Sequence, residues 1–268
     1  MSIAISIIVV NYNTYKLTSA CIYSILEHTK GVDYEVVLVD NNSTECEPEQ
    51  FLLDFPSVRL IKTKANLGFA KGNNLGIKYA KGEVILLVNS DAELTNNAVK
   101  ILADYLTAHT DVGVVTGKLR YPDGRLQHNC QRFPNWKVSL FELLRLQKVF
   151  RRWGQRCLLG PFFSYDRLQE VDWVWGTVFM FRKSDLENFP NQQLPDDFFM
   201  YGEDIQWCME FRKRNRKVVF VPQAEILHHM GGSSANSKKL ILQNTDLFLQ
   251  KYYHPLHLRV LRVLNSLL

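Results

Sequence analysis

The first hundred residues alternate continuous β-rich runs with helix-like segments. "ISIIVVN" is followed by "TYKLTSACIYSILEHT", then come "YEVVLVDNNS", "VRLIKT" and "EVILLVNSD". Nothing else in the chain constrains the fold so tightly. Runs that are apolar at every position must be buried on both faces, and parallel neighbours need crossover connections. In the first helical segment Leu17, Cys21, Ile25 and His28 share one face. The predicted class is therefore α/β, a Rossmann-like, mainly parallel sheet flanked by helices. After "VGVVTG" the pattern changes. "LRYPDGRLQ" reads as a hairpin around Asp123 and Gly124, followed by the apolar and basic stretch "WKVSLFELLRLQKVFRRWGQR". "VDWVWGTVFMFRK" reads as one long strand, Asp204 to about Asn215 as a helix, and "KVVFVP" and "AEIL" as two further strand-like runs.

With 268 residues, 46% of them apolar and 22% charged, the chain can bury one large core or two intimate lobes. The net charge of +5 and pI near 8.9 favour an anionic partner such as a phosphorylated small molecule or a lipid head group. A nucleic-acid binder would concentrate more basic charge on one face, so no nucleic acid is expected. Five scattered cysteines with no C-x-x-C pair point to a reducing, cytoplasmic compartment. "MSIAISIIVVN" has no basic leader and is far shorter than the roughly 20 residues that span a bilayer, so it reads as a buried first strand.

In open α/β sheets ligands collect beyond the carboxyl ends of the strands. Those ends carry Asn11 and Asn13; Asp40, Asn41, Asn42 and Ser43; the segment "KTKANLGFAKGNN"; and Asn89 and Asp91. Asn, Asp and Ser also make turns by bonding nearby backbone, but four such loops on one rim favour a binding edge. Asp91 at the tip of a buried strand suits a Mg²⁺ or Mn²⁺ that bridges to nucleotide phosphates, or else caps the next helix. Gly68, Gly72 and Gly76 recur every four residues, and the segment is neither a Walker loop nor G-x-G-x-x-G. Lys64, Lys71, Asn66, Asn73 and Asn74 suit a diphosphate at a helix start, and a packing stripe explains the glycines equally well.

In "GEDIQWCMEFRK" the apolar face of Ile205, Cys208, Met209 and Phe211 starts a helix at Glu203 and Asp204. The helix dipole favours acids there by roughly 0.3–1 kcal/mol, which accounts for one carboxylate. Two adjacent acids suggest that one caps while the other faces a pocket as a base. Of the adjacent His228 and His229, at most one faces the site, because neighbours on an extended chain point opposite ways. A neutral imidazole there is a plausible partner for Asp91 on Mn²⁺.

In order and spacing, "VDNNS", "NLGFAKGNNLGIKYAKGEVILLVNSD", "DWVWGTVFMFRKSDLE" and "DDFFMYGEDIQWCMEFRKRNRKVVFVPQAEILHHMGGSS" resemble the inverting glycosyltransferases of family two, with the GT-A fold, and especially their rhamnosyltransferase-like branch. The resemblance covers most of residues 3–234. It implies that 1–116 form the nucleotide-sugar half of a single GT-A domain and 117–234 the acceptor-binding and catalytic half, with a mixed sheet. Residues 235–268 would be a helical extension. It further implies that Asp40 binds the nucleoside and that Asn66, Gly68 and Asn73 lie near ribose and diphosphate; the strand-end reading adds Asn11, Asn13 and Asn89 as donor-binding candidates. Asp91 and His228 would hold the divalent metal, Asp204 rather than Glu203 would be the general base, and Trp175 and Gly176 would border the acceptor pocket. The usual paired-acid metal motif appears here as Asn89-Ser90-Asp91, which weakens the expectation of tight metal binding. The donor would be a dTDP-, UDP- or GDP-sugar, with dTDP-rhamnose the first expectation, and the acceptor a saccharide of cell-surface polysaccharide assembly.

A sugar-phosphate nucleotidyltransferase would carry a glycine-rich basic loop near its N-terminus, and "VVNYNTYKLT" has neither glycine nor arginine. A non-catalytic nucleotide-sugar binder is the other alternative. In the tail, Leu256, Val260, Leu264 and Leu267 share one face and Arg259, Arg262 and Ser266 the other, so this helix, like "LRLQKVFRRWGQR", suits either an anionic membrane or a packing interface. Membrane contact at the inner face of the plasma membrane would fit a lipid-linked acceptor.

Overall fold

The computed structural model describes residues 4–230 and 237–267. The stretch 231–236, which includes the end of the last family-like motif and the expected boundary between 234 and 235, lies outside the described residues. In chain order the elements are β1 (Ile5–Asn11), α1 (Tyr15–His28), β2 (Tyr34–Asp40), α2 (Gln50–Asp54), β3 (Arg59–Lys62), α3 (Phe69–Tyr79), β4 (Val84–Asn89), β5 (Ala92–Leu94) and α4 (Ala98–Ala108). Then follow β6 (Val112–Arg120), β7 (Leu126–Gln127), β8 (Cys130–Gln131), α5 (Trp136–Leu143), α6 (Leu146–Val149), α7 (Arg151–Leu158), β9 (Gln169–Val171), β10 (Trp173–Val174) and β11 (Val178–Arg182). The last elements are α8 (Glu203–Lys213), β12 (Lys217–His228), α9 (Ser237–Tyr252) and α10 (Pro255–Asn265).

The main sheet has the order β3-β2-β1-β4-β11-β6-β12-β5, with β7 paired to β6 and β9 to β12. The strands β3, β2, β1 and β4 are mutually parallel, and β12 is parallel to β6. β11 runs antiparallel between β4 and β6. The expected α/β class with a mixed second half is thus observed. Alternate residues of the buried strands feed two cores, as a pleated strand requires. Ile7, Val9, Leu38, Leu86 and Val88 meet Cys21, Ile22 and Ile25 of α1 and Leu102 and Leu106 of α4. Ile8, Val37, Ile85 and Leu87 meet α3 and the aromatic side chains of β11 and α8.

Three details differ from the sequence reading. "VDWVWGTVFMFRK" is three short strands, because β9 pairs with β12, β10 with β8, and β11 with β4 and β6. The chain bends at Asp172, whose carboxylate accepts from Arg132 (3.1 Å), Arg212 (2.6 Å) and the Phe133 N–H (2.9 Å). "KVVFVP" and "AEIL" are one continuous strand that keeps its partner β6 through an irregularity between Phe220 and Glu225. In α10 the inward residues are Leu258 and Leu261, while Leu256, Val260 and Leu267 are exposed. α10 packs on α5, and its buried residues lie on a different face from the apolar stripe that the sequence pattern draws.

Candidate active site

Strand register sets the site. β1 pairs Asn11 with Asp40 of β2 and Val10 with Asn89 of β4, so these polar residues end their strands at one level. β11 runs the opposite way and therefore begins at that rim, where Thr177 O accepts the Asn89 N–H at 2.9 Å. Asn11 is buried and saturated: its Nδ2 donates to Asp40 Oδ1 (2.8 Å) and Ser43 Oγ (2.9 Å), and its Oδ1 accepts from Thr18 Oγ1 (2.8 Å). Asp40 is equally buried, and its Oδ2 accepts the Ser43 N–H at 3.0 Å. Asn13, at a left-handed φ of 52°, is exposed and accepts the Thr44 N–H at 2.7 Å.

At the next strand end, Asn41 donates to Asn66 Oδ1 (2.9 Å) and Gly68 O (3.2 Å). Gly68 stands at φ +80°, and a Cβ there would overlap the Phe199 carbonyl. Asn73 is buried with its Nδ2 bonded to Phe69 O at 2.9 Å. Cβ atoms at Gly72 and Gly76 would press on Val10 and Ile8, so these two glycines let α3 lie close against β1. The glycine periodicity is thus a packing stripe. Asn89 Oδ1 is buried and unpartnered among the described residues.

Asp91 and His228 face each other, Nε2 to Oδ1, at 3.3 Å. Gln127, almost wholly buried, holds this histidine twice: its Nε2 donates to His228 O and its Oε1 lies against His228 Nδ1, both at 2.7 Å. The Oε1 of an amide only accepts, so Nδ1 carries a proton, and it is Nε2 that faces Asp91. His229 turns to Glu93 instead, 2.5 Å from Oε1. Asp91 and His228 suit a divalent cation as one oxygen and one nitrogen donor with the tautomer already fixed. Among the described residues no group of three or more His, Cys, Asp or Glu side chains is placed to hold a metal.

At the start of α8 the Gly176 N–H points at Asp204 Oδ2 (3.4 Å), and the Ile205 N–H donates to Asp204 Oδ1 (2.8 Å). Trp175 N–H is fixed by Asn129 O at 3.1 Å. Glu203 is buried with Oε2 lacking a partner among the described residues, whereas Asp204 is half-buried. Burial raises both carboxyls above their ordinary range, and the Asp204 charge raises Glu203 further. α8 is anchored by Trp207, which is fully buried, donates to Pro195 O at 2.8 Å and lies against Phe69 and Phe179.

The sequence reading missed Gln127, Tyr201 and Asn244. Tyr201 takes a left-handed φ of 65° just before the acids. Burial first, then the neighbouring acids Glu203 and Asp91, push its phenol above the ordinary tyrosine range. Asn244 of α9 donates to Met200 O (2.9 Å) and Tyr201 O (2.6 Å), clamping the turn into α8. "MYGED" carried a signal in the glycine before two acids, realised as Gly202 at φ +102°.

A polar strand-end rim, an aspartate–histidine pair and a carboxylate base candidate on one edge of such a sheet suit transfer chemistry on a phosphorylated donor. A model of the family described as "Glycosyl transferase family 2" matches residues 6–167, more than half of the chain. The chain belongs to glycosyl transferase family 2. An N-acetylglucosaminyl-diphospho-decaprenol L-rhamnosyltransferase of Mycobacterium tuberculosis is 27% identical over 224 residues, which cover 74% of this chain and 67% of the relative. The low-salt glycan biosynthesis hexosyltransferase Agl10 of Haloferax volcanii is 26% identical over 231 residues, covering 84% and 67%. Among solved structures, TarS 1–349 of S. aureus matches with a TM-score of 0.58 at 18% identity, over 93% of this chain and 73% of that one. GalNAc-T7 with UDP, GalNAc and Mn²⁺ matches with a TM-score of 0.63 at 14% identity, over 92% and 48%. These structural likenesses are of fold alone, and they bear out the GT-A expectation. The protein is a glycosyltransferase, as the motifs imply.

Proposed function

We propose that this family 2 enzyme moves L-rhamnose from dTDP-rhamnose to a lipid-linked saccharide, with inversion, in cell-surface polysaccharide assembly at the cytoplasmic side of a membrane. The observation that carries the reading is that the Asn89–Thr177 hydrogen bond joins the segment leading to the Asp91–His228 pair to the segment whose Gly176 N–H points at Asp204. The decaprenol-linked rhamnosyltransferase relative supports the donor and acceptor classes.

In this reading residues 1–116 supply the nucleotide-sugar half and 117–234 the acceptor and catalytic half. Asp40, oriented by Asn11 and Ser43, forms the nucleoside wall beside Asn13, Asn66, Gly68 and Asn73, and the unpartnered Asn89 Oδ1 accepts from the donor. Asp91 and His228 would hold a divalent cation, which when bound offsets charge on the departing nucleoside diphosphate. Asp204 takes the proton of the acceptor hydroxyl as its oxygen attacks the anomeric carbon opposite the leaving group, inverting that centre. The Gly176 N–H keeps Asp204 Oδ2 oriented, and Trp175 walls the acceptor pocket.

The test is incubation with dTDP-rhamnose, UDP-sugars or GDP-sugars, each with Mn²⁺, Mg²⁺ or EDTA and a polyprenyl-diphosphate-linked N-acetylglucosamine, followed by mass spectrometry. The expected product is the acceptor plus one deoxyhexose, formed from the dTDP donor only with metal. An unchanged acceptor with every donor, or product formation indifferent to EDTA, contradicts the reading.

A further inference from the structure

We propose that the α6–α7 hairpin is a docking surface for an anionic lipid bilayer. Residues 144–156, "LRLQKVFRRWGQR", carry Arg145, Lys148, Arg151, Arg152 and Arg156 and no acid. All five cations are exposed, and none forms an ion pair with a described residue. Interleaved with them, Leu144 (58%), Val149 (74%), Phe150 (52%) and Trp153 (58%) stand out in solvent.

Local packing keeps these side chains outward. Arg145 takes a left-handed φ of 53°, which turns the chain from α5 into α6. α7 folds back so closely that a Cβ on Gly154 would lie 2.7 Å from Gln147 Cβ. Trp153 meets Phe141 edge-on at 5.2 Å and Phe150 at 6.3 Å, forming an aromatic knob. A surface that mixes unpaired cations with exposed aromatic and aliphatic groups matches the head-group layer of an anionic membrane. Cations meet the lipid phosphates there, and the aromatic rings sit at the boundary with the acyl chains. A second copy is a poor occupant, because a two-fold contact would set the same five unpaired cations against each other.

The hairpin is tied to the acceptor side of the site. Arg132 holds both Asp172 and the Arg156 carbonyl, and the adjoining β8 pairs with β10, just before Trp175. A docked hairpin would hold that side of the rim facing the lipid surface; lipid binding itself requires nothing of the proposed donor or acceptor.

The experiment is flotation of the full chain with vesicles of phosphatidylcholine alone or mixed with phosphatidylglycerol, at low and high salt. The expected result is binding to the mixed vesicles only, released by salt. The bound fraction should fall about tenfold in Arg151→Glu/Arg152→Glu and in Phe150→Ser/Trp153→Ser, and should be retained in Arg151→Lys/Arg152→Lys, all with unchanged melting temperatures. The proposal is overturned by wild-type protein that ignores anionic vesicles, by equal binding to neutral ones, or by charge-reversal variants that still float. Sedimentation of the wild type as a dimer that Phe150→Ser/Trp153→Ser dissociates would assign the surface to a second copy instead.

Discussion

At the start of α8 Glu203 is buried, with Oε2 lacking a partner among the described residues, while Asp204 is half-buried and has two N–H groups aimed at it. Burial raises both and the two titrate as a pair; the Gly176 and Ile205 N–H groups aimed at Asp204 favour the charge there, whereas Glu203 Oε2 lacks a partner among the described residues, which suits Glu203 to the neutral role. Glu203→Gln, a mimic of that neutral acid, should retain transfer within a few-fold and keep the acidic limb of the pH–rate profile in place. Loss of transfer in this variant would instead assign Glu203 as the base. Gln127→Leu, which frees the His228 ring, should weaken metal affinity by about 10–100-fold, read as the Mn²⁺ dependence of a nucleotide-induced thermal shift. An unchanged metal titration would reduce Gln127 to a core residue. The acids were legible because adjacency at a helix start is a local pattern. Gln127 was not, since it meets His228 across 101 positions of sequence with no spacing rule to link them.

Among the elements, α9 does the least obvious work. Asn244 bonds the two carbonyls ahead of Gly202, so α9 fixes the entry into α8 and thereby the aim of Asp204. Asn244→Leu should lower kcat on the order of ten- to a hundred-fold while leaving the donor-induced thermal shift intact, because small misplacement of a catalytic group is costly. Equal loss of donor binding would point to general unfolding of this region. Gly76→Ala should destabilise by about 1–3 kcal/mol in denaturant titration, since the new methyl overlaps Ile8 at the α3–β1 contact. The central parallel strands were readable because they are apolar at every position. The 171–182 stretch was misread as one strand because its alternation continues through the bend. What breaks it is Asp172 bonding to Arg132 and Arg212, a tertiary event invisible to periodicity.

For the whole molecule, the raised acid pair links stability to pH. A carboxyl whose folded value lies above its unfolded one binds its proton more tightly in the native state, so stability falls as pH rises from the ordinary carboxylate range through the raised values. Glu203→Gln should therefore flatten the fall in melting temperature between mildly acidic and mildly alkaline pH; an unaltered slope would show that Glu203 does not titrate in that window. Fold class and rim were legible at this scale because β/α alternation implies parallel strands whose carboxyl ends share one edge. The outward face of α10 and the clamp from α9 were not, because they depend on which side each late helix turns to the body. The most direct test of the account is the transfer rate of Asp204→Asn with its donor-induced thermal shift measured on the same sample. The account requires the shift to persist while transfer falls about 10²–10⁴-fold; undiminished transfer would contradict it.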